Sequence, residues 1–326
     1  MRNAVRPLFA RSLFVCGAFT VCGALQAQDY PTHPVRVVVP FTPGGITDLV
    51  TRIAAGELAK SFNQTFVVDN RPGANSILAV DMVSKATPDG YTLGTVIAAH
   101  AANQTLYAKL PYDSVKSFEH VSLLVTSPLI VCVTNSLAAT SIKDLIELAK
   151  AKPGQLSFGS SGIGAAAHLT TELFMATTGI KMVHVPYKGT APALQDLIGG
   201  QINFMMDTPM PAMLPQVRAG KVRALGMASN KRIAIAPEIP TLIESGVQVV
   251  GGTWVALLAP AGTPKPIVDK LSSAVGAAMR RADVKERFAQ FWIEPVGSTS
   301  AEFTVFLKNE VAKWAKVIKD ANVRID

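Results

Sequence analysis

VRVVVPFTPGGITDLVTRIAAGELAKSF, residues 35–62, carries the transition on which the fold depends. A run of valines gives way to a glycine pair. Then Leu49, Ile53, Ala54, Leu58 and Phe62 recur near helical spacing. The pattern predicts a buried strand at 35–39, a tight loop and a helix at 47–62. Adjacent glycines let backbone approach a ligand closely, and the free N–H groups of a helix start attract negative charge. Thr47 is the expected N-cap of that helix and Asp48 suits its first turn. The loop is not a P-loop, because no lysine follows the glycines. The amides of Gly44, Gly45 and the first turn still form an anion nest, against which the plain alternative is a capped turn. Asp48 is expected to orient amides or waters, since it would repel an anion it touched.

Strand and helix then alternate. TFVVDN (65–70) and YTLGTVIA (91–98) read as strands around a helix at 74–86, an order that implies parallel pairing with right-handed crossovers. A second set of units follows. It has helices at 141–151, 164–177 and 190–199, and strands LSFGS (156–160), KMVHVP (181–186), INFMMD (202–207) and VRALGMA (222–228). Beyond GGTWVALLAPAGTP (251–264) the chain is mainly helical. No low-complexity linker separates the sets, so extended crossings are expected near 126–131 and 250–254. They divide the chain into one lobe of 28–130 plus 253–326 and another of 131–252.

The chain has 326 residues, 49% hydrophobic and 17% charged, as suits two folded domains. Arg2, Arg6 and Arg11 precede the apolar run at 13–25, and a small residue follows at Ala27. This is the pattern of a secretory signal peptide over 1–27, too short to span a bilayer. Lipid anchoring at Cys22 is the rival, weakened by the FTV before it. Removing three arginines and no acid takes the formal charge from +8 to +5. Cleavage leaves Cys132 alone, so no internal disulfide is expected and the thiol reads as an inert core group. Scattered basic residues with 7% aromatics give no nucleic-acid surface. Five histidines without metal-ligand spacing give no metal site.

Two more stretches carry candidate chemistry. FGSSGIGAAAHL (158–169) contains Gly162, Gly164 and Ala167 in a partial dinucleotide fingerprint, but MVHVPYKG after it lacks the ribose-binding acid. Ser160, Ser161 and His168 resemble hydrolase parts without the GxSxG elbow. Serine hydroxyls beside free helix amides suit a carboxylate equally well. In VPYKGTAPAL (185–194), Tyr187, Lys188 and Gly189 stand at a strand end, as does Asp207 after NFMM. Each is a ligand-contact candidate, with a solvated lysine and a capping aspartate as the bland readings. NRPGAN (70–75) reads as a structural turn.

FTPGGITD, VVDNRPGA, TPDGYTLG, LPYDSVKSFEHVS, SFGSSGIGAAAHL, VPYKGTAPAL, DLIGGQI, PTLIESG and LLAPAGTPKPIV occur in that order. The chain from about 29 to 326 thereby resembles the Bug family, solute-binding proteins of tripartite tricarboxylate transporters. The resemblance implies an α/β, two-lobed periplasmic binding fold. Each lobe would be a mainly parallel sheet flanked by helices, with the ligand cleft between lobes. It implies a periplasmic, non-enzymatic receptor for a small mono- or dicarboxylate that serves membrane permease subunits. The expected state is a monomer without cofactor. The loop Phe41–Asp48, with Pro43, Gly44, Gly45, Ile46 and Thr47, would pinch a carboxylate against Ser160–Ala165, which includes Ser161, Gly162 and Gly164. AAHAAN (98–103), with Ala98 and His100, would line the same cleft. Ile46 fills a slot where members commonly carry something smaller, which narrows the cleft. A signalling receptor on this scaffold and a secreted ester hydrolase are the alternative functions.

Overall fold

The computed structural model describes Met1 and residues 30–209, 213–233 and 236–325. The expected leader, Met1 apart, lies outside them. All that follows concerns residues 31–326, which form one unit.

The valine run is β1 (Val35–Val39), and the helix after the glycine pair is α1 (Ile46–Phe62). β2 (Phe66–Asn70), α2 (Ile77–Ser84), β3 (Thr92–Ile97) and α3 (Ala98–Leu106) continue the alternation. A single 3-10 turn, Ala74–Ser76, precedes α2, where one continuous helix was expected. Its three residues all have positive φ, which breaks the helix. Next come β4 (Phe118–Pro128), β5 (Ile130–Thr134), α4 (Ile142–Ala151), β6 (Ser157–Ser160) and α5 (Ala166–Thr178). They are followed by β7 (Val183–Pro186), α6 (Thr190–Ile198), β8 (Phe204–Asp207), α7 (Met213–Arg218) and β9 (Val222–Met227). The chain ends with β10 (Gly252–Pro260), α8 (Lys265–Arg280), α9 (Ala282–Ala289), the short β11 (Glu294–Pro295) and α10 (Ser300–Asp320).

Two sheets result, ordered β11-β4-β10-β3-β1-β2 and β7-β6-β8-β5-β9. β1 is parallel to β2 and β3, and β6 is parallel to β7 and β8. Both sheets are mixed, for one physical reason. A strand that arrives from the other sheet must run against its hosts: β10 between β3 and β4, and β5 between β8 and β9.

The sheets are joined where β4 passes through Leu129 into β5 and where residues 249–252 return to β10. The Leu129 amide donates to the Gly251 carbonyl, and the Gly251 amide to that of Ala228. Gly252 runs so close to β4 that a Cβ would lie 2.4 Å from the Ser127 carbonyl oxygen. The glycine pair before Trp254 is therefore required by the close passage of backbone. Beyond it, the Trp254 and Trp314 indoles both donate to Glu310, at 3.0 and 2.9 Å, tying α10 to the base of β10.

Phe158, Phe174 and Phe204 fill one face of the second sheet, and Ile130, Cys132, Leu194 and Met205 the other. Burial pushes the Cys132 thiol up, which keeps it protonated and unreactive.

Candidate functional site

α1 begins directly after the glycine pair. Gly45, not Thr47, occupies its N-cap position, and no side chain caps it. Thr47 lies inside the helix, buried, because the pair lets the helix start two residues earlier than its capping chemistry suggests. Asp48 reaches back instead. Its Oδ2 accepts the Gly44 N–H at 3.0 Å and the Arg52 Nε–H at 3.0 Å, while Oδ1 accepts Asn70 Nδ2 at 3.0 Å. Asn70 Nδ2 also donates to the Phe41 carbonyl at 2.9 Å. Burial raises the Asp48 carboxyl, but the bonds from Arg52, Gly44 and Asn70 outweigh it and hold the group below the usual range. The first helical bond runs from Leu49 to Gly45, so the amides of Ile46, Thr47 and Asp48 stay open.

The second glycine loop repeats this device. α5 begins at Ala166, with Ala165 at the N-cap position and no side-chain cap. The Gly164 N–H donates to His168 Nδ1 at 3.1 Å, and the first helical bond runs from Leu169 to Ala165. In each loop a side chain four residues on takes one glycine amide and leaves the first-turn amides free. Gly44, Gly162 and Gly164 have φ of 92°, 142° and 76°, which side chains disfavour.

Between the two loops lies a cavity of about 370 Å³. The N-terminal ends of four helices meet it: Gly45, Ile46 and Thr47 of α1; Ile97, Ala98 and Ala99 of α3; Ala165, Ala166 and Ala167 of α5; Gly189 and Thr190 of α6. Phe41, Thr42, Asn75, Ser161, Asp207, Thr208 and Thr253 complete the wall. Among the described residues, no lysine, arginine or histidine side chain belongs to it. Positive potential is supplied by helix ends, while the single ionisable group among the described wall residues, Asp207, is acidic.

Of the residues singled out in the sequence, Phe41, Gly45, Ile46, Thr47, Ala98, Ser161, Ala165, Gly189 and Asp207 line this cavity. Pro43, Gly44, Asp48, Ser160, Gly162, Gly164 and His168 belong to the two loops or their supports rather than to the wall. His100, Tyr187 and Lys188 are elsewhere. His100 is a fully buried residue of α3, its Nε2 2.9 Å from the Ser114 carbonyl and its ring stacked on Tyr112. Burial lowers its pKa to about 4. Tyr187 turns its hydroxyl away to Asp196 at 2.6 Å; burial and that carboxylate raise it to about 12. Lys188 is exposed.

The hydrolase arrangement is not assembled. Ser160 is buried and its hydroxyl meets His184 Nε2 at 2.7 Å, not His168. The two imidazoles stack, with ring centres 3.9 Å apart, and Ser161 lies in the cavity wall with Asp207 instead. Burial pushes the Asp207 carboxyl up, against the N–H of Thr208 and the hydroxyls of Thr190 and Ser161.

Asn75 and Thr253 were not among the candidates. Asn75 sits at φ 47° in the turn read as structural, where its side-chain amide donates to Asn103 Oδ1 at 3.0 Å. Thr253 comes from the return crossing. Thr190, by contrast, is the first residue of the helix expected at 190–199.

With that geometry in view, known proteins were compared. A sequence profile described as "Tripartite tricarboxylate transporter family receptor" matches residues 50–323. The chain belongs to this family. Protein BugT of Bordetella pertussis (strain Tohama I) is 34% identical over 326 residues, covering 99% of each chain. R. palustris Rpa4515, solved with adipate, is 36% identical with a TM-score of 0.81 over 91% of this chain and 99% of that one. MatC from Rhodopseudomonas palustris, solved with bound malate, is 32% identical with a TM-score of 0.75 over 89% and 100%. The two-lobed periplasmic binding fold of this tripartite-transporter receptor is that of its relatives. Among the described residues, no helix is long and apolar enough to cross a membrane.

Proposed function

We propose that this receptor captures a small organic acid in the periplasm, without turnover, and presents it to the membrane permease of a tripartite transporter. One observation carries the reading. Four helix N-termini converge on a cavity that holds no cationic side chain among the described residues, and two of them have first-turn amides left open by the Asp48 and His168 supports. Such an array favours a carboxylate, whose oxygens accept several charge-assisted bonds at once. The relatives solved with adipate and malate support the same class. The lobes in this reading are 28–130 plus 253–326 and 131–252. They close because only the closed form brings both glycine loops to one headgroup. Export through the leader at 1–27 delivers the receptor to its compartment.

Calorimetry over a broad panel of organic acids tests capture, with saturable binding and no product as the expected result. Absence of heat and of thermal shift across the panel overturns it. Loss of uptake of the bound acid in a deletion strain tests the permease step; unchanged uptake overturns that part alone.

A further inference from the structure

Among the described residues Asp207 is the single ionisable side chain in the cavity wall, and it is 3% exposed. Its Oδ1 accepts the Thr208 N–H at 2.7 Å, and its Oδ2 accepts the Thr190 hydroxyl at 3.1 Å. The Thr208 hydroxyl stands at 3.5 Å, and Ser161 lines the same wall. These groups are arranged as donors around an acceptor, as an ionised carboxylate requires. Among the described residues no lysine, arginine or histidine pairs with it. A buried carboxylate without a cation is costly, and folded proteins seldom tolerate it.

The bonding pattern also fixes what this wall offers a ligand. A serine or threonine hydroxyl has one hydrogen. Thr190 has spent its own on Asp207, so toward the cavity it presents lone pairs. This side of the cleft is therefore rich in acceptors. The open amides of α1 and α5 lie at the two glycine loops instead. The α6 terminus, whose first residue is Thr190, already faces Asp207. One cavity thus has a donor-rich region for one carboxylate and an acceptor-rich region that would repel a second.

Building on the proposed carboxylate capture, we infer that the cleft selects an aminocarboxylate, whose protonated amine meets Asp207 while its carboxylate sits on the amides of the glycine loops. The ligand supplies the cation that Asp207 lacks. The aliphatic wall of Ile46, Ile97, Ala98 and Ala99 packs on the carbons between the two charges.

Matched acids decide this by calorimetry on the mature protein. The series are alanine, propionate and malonate; γ-aminobutyrate, butyrate and succinate; and ε-aminocaproate, caproate and adipate. At one chain length or more, the amino acid is expected to bind at least tenfold tighter than its monocarboxylate and dicarboxylate counterparts. If at every length the dicarboxylate binds as tightly as the amino acid, or tighter, the inference is overturned while carboxylate capture stands. If no member of any series binds and the broader panel also fails, capture and inference fall together. In Asp207→Asn the ratio between the amino acid and its monocarboxylate is expected to fall at least tenfold. An unchanged ratio overturns the inference. The wild-type series needs no variant, so it decides even if Asp207→Asn fails to fold.

Discussion

Gly45→Ala separates the ligand-facing part of the first loop from its structural part. Gly45 has φ −82° and ψ 174°, values any residue adopts, and no atom lies within 4 Å of the place its Cβ would take. The fold therefore has no need of glycine there. Alanine would restrict the unfolded chain, a gain of about 0.4–1 kcal/mol. It is a poorer N-cap than glycine, which offsets a gain of that size. The net effect on the melting temperature is expected to be under about 2 °C. Binding should respond differently, because the new methyl projects beside the open amides of Ile46 and Thr47 in the cavity wall. Loss of one charge-assisted bond costs roughly 1.5–3 kcal/mol. That is about ten- to a hundredfold in Kd. Calorimetric titration with the tightest-binding acid, beside a thermal scan of the same preparation, reads both quantities. An unchanged Kd with an unchanged melting temperature would refute the claim that this loop grips the ligand. A melting temperature lowered by about 10 °C or more would refute the claim that the space is open.

Three further outcomes follow from other parts of the molecule. Gly252→Ala puts a methyl 2.4 Å from the Ser127 carbonyl oxygen, a backbone clash that neighbours cannot relieve by rotation. It should cost about 2 kcal/mol or more in chemical denaturation, and a neutral result would contradict the packing of the two crossings. Asp48→Ala releases the Gly44 amide, Asn70 and Arg52 together. Ligand affinity should fall about tenfold, measured by titration, since the loop loses the group that sets its shape. Acid stability should show His100. Its folded pKa is about 4 against 6.5 for the free group, so between those values only the unfolded state binds the proton. Its contribution is complete above pH 6.5 and is lost as pH falls toward 4, by about 3 kcal/mol. His100→Gln should flatten the stability-against-pH slope in that window by about one proton, and an unchanged slope would show that the imidazole is not buried neutral.

Legibility in the sequence divided along the range of the forces involved. β1, α1 and the repeated units were readable because valine runs and helical spacing are local records of burial. The two crossings were readable from extended apolar segments and from the GG before Trp254. α3 and β11 were not assigned. AAHAANQTL is mostly small residues with weak periodicity, and β11 is two residues that pair with β4 from far along the chain. Cavity-lining residues were found where a glycine or a strand end announced them. Asn75 and Thr253 were missed because nothing local marks a side chain that only the folded chain brings to the cavity. The histidines erred the other way. His100 and His168 look functional in a sequence, yet one is a core group and the other holds the amide of Gly164. That last bond and its counterpart from Asp48 to Gly44 make the deeper point. The two loops share no sequence beyond glycine, and one uses a carboxylate where the other uses an imidazole. Both solve the same problem, fixing one glycine amide from below so that the next amides stay open above it. A search for identical motifs would miss this equivalence, whereas asking where each loop amide finds its acceptor reveals it.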